Sequence, residues 1–150
     1  MMTPVRMEST EDYEELRAFF IENGLEFDED EARPDIVKMW RMTHGQGDLK
    51  ALVGGAVLTI KNGEFCIEGI AIDRIYRKLG LGKVLIKKAC EEVKNRGGKR
   101  IVLLARAPGF YRKLGFSTIP NEESPIEFDC FTCPQNGVDC FPAVMALDID

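Results

Sequence analysis

Apolar residues recur along this chain in two periods, and the switches between those periods mark its elements. Thr3 to Met7 predicts a short first strand. Tyr13, Leu16 and Phe20 then recur at helical spacing, which places them on one face of a helix. Ser9 or Thr10 can cap that helix, with Glu11 and Asp12 in its positive first turn and Gly24 as a stop. The acidic stretch from Glu26 to Asp35 has no period and predicts a loop, with Pro34 discouraging helix just before it. Strand patterns follow at Val37 to Thr43, Leu49 to Ile60 and Phe65 to Ile72. The gaps between them, Gly45-Gln46-Gly47-Asp48 and Lys61-Asn62-Gly63-Glu64, carry hairpin-turn chemistry, so the three strands form an antiparallel meander.

Helical spacing returns near Gly80, with Leu81, Val84, Leu85, Ala89 and Val93 as an apolar stripe among lysines and glutamates. Gly97-Gly98 ends that helix, and the continuous apolar run Ile101 to Ala105 predicts a strand covered on both faces. Strand, turn, helix and buried strand make a βαβ unit with parallel strands. Pro108 suits the first turn of a short helix carrying Phe110, Tyr111 and Leu114, with Gly115 at its end. Phe116 to Ile119 and Ala143 to Ile149 predict the last strands, separated by a long loop rich in Pro and Cys. The expected fold class is α/β (α+β): a mixed, mostly antiparallel sheet with a central parallel βαβ unit and helices on both faces, in one domain spanning 1–150.

Composition narrows the partners. A chain of 150 residues is large enough for one buried core. Its net charge of −5 argues against general nucleic-acid binding, since phosphate backbones attract basic surfaces. No run approaches the roughly 20 apolar residues of a membrane span. The N-terminus lacks a signal-peptide pattern, so a cytoplasmic protein with reduced cysteines is expected.

Against that acidic background, Arg77-Lys78-Leu79-Gly80-Leu81-Gly82-Lys83 stands out as a basic, glycine-containing turn at the mouth of a helix. The first-turn N–H groups of a helix lack intrahelical partners and sit at the positive end of its dipole, so such a turn is an anion site. A nucleoside-triphosphate loop would need glycine at 77 and a hydroxyl residue at 84, where the chain has Arg77 and Val84. A dinucleotide fingerprint would need a third glycine where the chain has Leu85. What remains is Arg-x-x-Gly-x-Gly, suited to a small phosphorylated ligand without a metal.

Two further features stand apart from this turn. His44, the chain's one histidine, falls at a hairpin shoulder, where a solvated turn residue is the default. Cys130-x-x-Cys133 with Cys140 leaves three readings open: structural thiols, a zinc site completed by His44, Cys66, Asp129 or Asp139, or a disulfide or redox pair.

In this order the motifs resemble the GNAT superfamily of N-acetyltransferases. Ile70-Ala71-Ile72 resembles the strand end whose backbone meets the acetyl and pantetheine groups. Arg77-x-x-Gly80-x-Gly82 matches the family's pyrophosphate loop, and Phe110 to Phe116 resembles its late helix-and-strand segment. The similarity covers residues 64 to 120. It implies acetyl-CoA as the cofactor, held at Ile70, Ala71, Ile72, Arg77, Lys78, Leu79, Gly80, Leu81, Gly82 and Lys83, with no metal. It implies acetyl transfer to a primary amine of a small molecule or peptide, by direct attack on the thioester.

Tyr111 is then the candidate proton donor for the departing thiolate, since an unshifted phenol titrates near enough to a thiol to serve. Glu68 is the first choice of base. It lies four residues from Glu64, and strand alternation puts the two carboxylates on one face. The segment Leu103 to Tyr111 looks most like the amino-acid branch, such as glutamate N-acetyltransferases, but Ala105-Arg106 departs from its Leu-Thr-Thr. Arg106 is a candidate for a substrate carboxylate or, equally, a solvated loop residue. A homodimer is compatible with the resemblance. The competing reading is a non-catalytic acyl-CoA binding or sensing module whose C-terminal cysteine loop serves a metal or a partner.

Overall fold

The computed structural model describes residues 5–24, 35–45, 47, 50–105, 107–126 and 143–149. Its strands are β1 (Arg6–Thr10), β2 (Ile36–His44), β3 (Ala51–Lys61), β4 (Glu64–Ile72), β5 (Arg100–Ala105), β6 (Ser117–Ile119) and β7 (Ala143–Asp148). The helices are α1 (Tyr13–Glu22), α2 (Leu81–Asn95) and α3 (Pro108–Lys113), with a 3₁₀ helix over Arg74–Leu79. The strands form a sheet in the order β1-β2-β3-β4-β5-β7-β6. It is mostly antiparallel among the described residues, with β4 and β5 as a parallel pair joined through α2. This is the expected mixed α/β architecture.

Two compact units can be distinguished, Met1–Thr59 with Ile67–Ala89, and Ile60–Cys66 with Cys90–Asp150. In the first, β1 runs antiparallel to β2 from Arg6↔Thr43 to Thr10↔Met39. Ser9 and Thr10 are thus committed to the ladder, opposite Trp40 and Met39. The helix cap falls instead to Asp12, whose carboxylate accepts from the Glu15 N–H at 3.1 Å. The first strand therefore extends to residue 10, and the expected cap moves two or three positions on. Leu16, Phe19 and Phe20 of α1 pack into a buried cluster with Met39, Val57 and Ala71.

Gly55 lets α1 sit close to the sheet. A Cβ there would lie 2.5 Å from Leu16 Cδ2 and 3.3 Å from the Trp40 carbonyl. Arg41 donates to Glu8 from Nε at 2.7 Å and to Glu15 from Nη1 at 2.8 Å. One guanidinium thereby ties β1, β2 and α1 together.

In the second unit, the hairpin turn places both Asn62 (φ 53°) and Gly63 (φ 79°) in the left-handed region. That is the type I′ geometry whose twist matches a tight hairpin. β5 and β7 are antiparallel from Arg100↔Asp148 to Ala105↔Ala143, and β6 pairs with β7. Cys66, Val102, Ile126 and Val144 form the buried cluster there.

Glu64 receives two hydrogen bonds from Arg100, Nε–Oε2 at 3.0 Å and Nη2–Oε1 at 2.7 Å. This bidentate pair holds the Glu64 carboxyl below its usual range and removes Glu64 from the catalytic candidates. Because the folded pKa is depressed, the pair's contribution is complete above the ordinary carboxylate value of about 4.3 and is lost as pH falls from there through the lower folded value. The Arg100 side chain is 36% exposed, so screening limits the worth of the pair. Replacing Arg100 with Ala should lower unfolding stability by about 1 kcal/mol at pH 7, with the difference from wild type closing below about pH 4 in denaturant titrations. A difference that persists at pH 3 would point to lost packing of the arginine stem.

Along α2 the buried positions are Leu85, Ile86, Ala89 and Val93, whereas Val84 is 42% exposed. The expected stripe therefore included Val84 on the wrong flank, and Ile86 takes its place.

Candidate active site

The basic turn begins just past the end of β4 at Ile72. The Asp73 N–H still donates to the Val53 carbonyl at 2.7 Å, and its side chain accepts from the Ile75 N–H at 3.0 Å. That cap starts the 3₁₀ helix Arg74–Leu79, which ends at Gly80 with φ 75° and ψ 16°. A left-handed residue here allows one helix to stop and another to start within a single position, and α2 begins at Leu81. The Val84 N–H reaches back to the Gly80 carbonyl at 3.4 Å, so the amides of Leu81, Gly82 and Lys83 belong to the open first turn.

Nothing lies within 4 Å of the position a Gly80 Cβ would occupy. Arg77, Lys78, Leu79, Gly80 and Lys83 are exposed, and Leu81 and Gly82 are half-buried. Open amides, an unobstructed left-handed glycine and three exposed cations fit a pyrophosphate. The Arg77 Nε donates to the Ile72 carbonyl at 3.0 Å. That carbonyl is the last of β4, and the guanidinium fastens the turn to the strand before it.

On β4 itself, Ala71 and Ile72 are buried and Glu68 and Ile70 half-buried. Gly54 makes room for Ile72: a Cβ at 54 would meet Ile72 Cδ1 at 2.8 Å. Alternation along the strand places Glu68, Ile70 and Ile72 on the same face.

In the second unit, Pro108 opens α3 as expected, and Tyr111 is half-buried. The ring stands edge-on to Phe110 at 5.1 Å and to Phe116 at 5.5 Å. Burial pushes its phenol up to about 12. An unshifted phenol was expected from the sequence, and desolvation by these aromatic neighbours accounts for the difference. Arg106, Cys130, Cys133, Cys140, Asp129 and Asp139 lie outside the described residues, as does the acidic stretch Glu26 to Asp35 apart from Asp35 itself.

His44 departs from its expected place in a solvated turn. It is the last residue of β2, half-buried, with Nδ1 2.8 Å from the Tyr76 hydroxyl. The two residues are 32 positions apart, and no local pattern in the sequence announces the contact.

Residues 5–116 match the family model described as Acetyltransferase (GNAT) family, and the chain belongs to that family. An uncharacterized N-acetyltransferase of Chlorobaculum tepidum is 29% identical over 82 residues, which are 53% of this chain and 52% of that protein. The chain thus spans about half the length of the curated relative it matches. Among solved structures, an acetyltransferase of the GNAT family from Staphylococcus aureus Mu50 has TM-score 0.72 at 18% identity, over 98% of this chain and 100% of that one. N-acetylglutamate synthase from Neisseria gonorrhoeae, complexed with coenzyme A and N-acetyl-glutamate, has TM-score 0.71 at 19% identity, over 100% of this chain and 36% of that one. At these identities the likeness is one of fold.

Proposed function

We infer that the chain transfers an acetyl group from acetyl-CoA to a primary amine of a small molecule or peptide, acting as a single N-acetyltransferase domain. The observation that carries this reading is the left-handed Gly80, which opens the first turn of α2 directly after β4. Acetyl-CoA supplies an activated thioester. The amides of Lys78 to Lys83 hold its pyrophosphate with the Arg77 guanidinium, whose Nε is already fixed on Ile72. Backbone N–H groups at Ile70 to Ile72 hold the thioester carbonyl oxygen as negative charge develops on it.

Glu68 takes the proton released by the attacking amine. Tyr111 donates a hydrogen bond to the departing sulfur as that sulfur takes on charge, and the thiolate that leaves is protonated from solvent. With the phenol at about 12, complete transfer to a thiolate is uphill, so the donor acts mainly by stabilising the developing charge. The amino-acid branch is favoured by the segment Leu103 to Tyr111 and by the fold likeness to N-acetylglutamate synthase. The same reading places the reaction in the cytoplasm. No helix among the described residues is long and apolar enough to cross a membrane.

The test is thiol release from acetyl-CoA against amino acids, polyamines and peptides with free N-termini. Turnover with one class of amine, abolished by Glu68→Gln, is expected. Tight coenzyme binding without turnover across the panel would replace the enzyme with a sensing module.

A further inference from the structure

The 3₁₀ helix that leads into the anion site has no buried residue; Ile75 is 86% exposed and Leu79 63%. No buried apolar side chain anchors it, so polar ties contribute to fixing its position. Two of them run to neighbouring backbone: Asp73 N–H to the Val53 carbonyl, and Arg77 Nε to the Ile72 carbonyl. A third comes from β2. His44 Nδ1 lies 2.8 Å from the Tyr76 hydroxyl, and the two rings meet edge to face at 5.5 Å and 76°. His44 is itself anchored, paired with Ala51 across β2 and β3.

Tyr76 immediately precedes Arg77, so a tie at its side chain sets where the cationic turn begins. We propose that His44 is a positioning residue for the coenzyme site, acting through Tyr76 to hold the turn in its binding geometry before the ligand arrives. The contact persists in either tautomer. With Nδ1 unprotonated the phenol donates to it, and with Nδ1–H the phenol oxygen accepts. A turn held in place loses less freedom on binding, so the tie should appear in coenzyme affinity.

This inference rests on the coenzyme reading of the turn, and its test separates the two. His44→Ala and Tyr76→Phe should each raise KM and Kd for acetyl-CoA by about threefold to tenfold, the worth of one neutral hydrogen bond. In both, kcat should stay within about twofold. The double variant should be no worse than the weaker single, because both changes break one contact. His44→Asn, which puts a polar atom near the place of Nδ1, should recover most of the loss. No variant should change KM for acetyl-pantetheine, which lacks the diphosphate. If His44→Ala proves too unstable to assay, Tyr76→Phe carries the comparison, since the phenyl ring is retained. Coenzyme A affinity unchanged in both single variants overturns the inference alone, as does an equal loss toward acetyl-pantetheine. A wild-type chain that binds no coenzyme A by calorimetry overturns the coenzyme reading and the inference with it.

Discussion

Replacing Tyr111 with Phe is expected to lower kcat by about a hundredfold to a thousandfold, the range lost with one donor aimed at developing charge. Affinity for coenzyme A should change by less than about twofold, because the ring and its edge contacts with Phe110 and Phe116 remain. A loss confined to kcat marks an interaction made in the transition state. Retention of full kcat would reduce Tyr111 to a packing aromatic. The buried phenol also has a signature in pH. Its folded pKa, about 12, lies above the ordinary value of 10. Wild-type kcat should therefore show no alkaline limb from this group below about pH 10. The sign for stability follows from the same shift: its contribution is complete below about pH 10 and is lost as pH rises toward about 12. Tyr111→Phe should flatten that alkaline loss in thermal melts.

Replacing Gly80 with Val is the second large effect expected. At φ 75° an L-residue costs about 1–2 kcal/mol, and a β-branched one is an outlier. The open space around the glycine shows that the cost is one of backbone conformation, with no overlap against neighbours. The variant relieves it by turning position 80 to negative φ, which re-aims the amides of Leu81, Gly82 and Lys83 together. Coenzyme affinity should fall by at least about tenfold, while the melting temperature drops by only a few degrees. Gly80→Asn should lie between Val and wild type, since Asn tolerates the left-handed region. Equal affinity in all three proteins would show that these amides do not touch the ligand.

The glycine turn into α2 was legible because its signals are local: the glycines, the cations and the start of α2 lie within seven consecutive residues. The Asn62-Gly63 hairpin was legible for the same reason. What the sequence left open depends on which distant residue arrives. Glu64 and Glu68 look alike on one strand until Arg100, 36 positions away, occupies the first. Val84 and Ile86 flank Leu85 symmetrically around a helix, and periodicity alone does not choose between them; packing buried Ile86. Ser9 and Thr10 are good caps by residue type but were claimed by the β1–β2 ladder, leaving the task to Asp12. His44 needed Tyr76, and nothing in either neighbourhood signals the other.

Gly54 and Gly55 lie side by side on β3 and serve opposite faces of it, one admitting Ile72 and the other Leu16. At that point a single peptide thickness separates the α1 core from the strand end that follows Glu68. Enlarging a core side chain beneath α1 therefore has no side-chain layer in which to dissipate. The displacement passes through the backbone to Ile72, so substitutions made there for stability alone also move the end of β4.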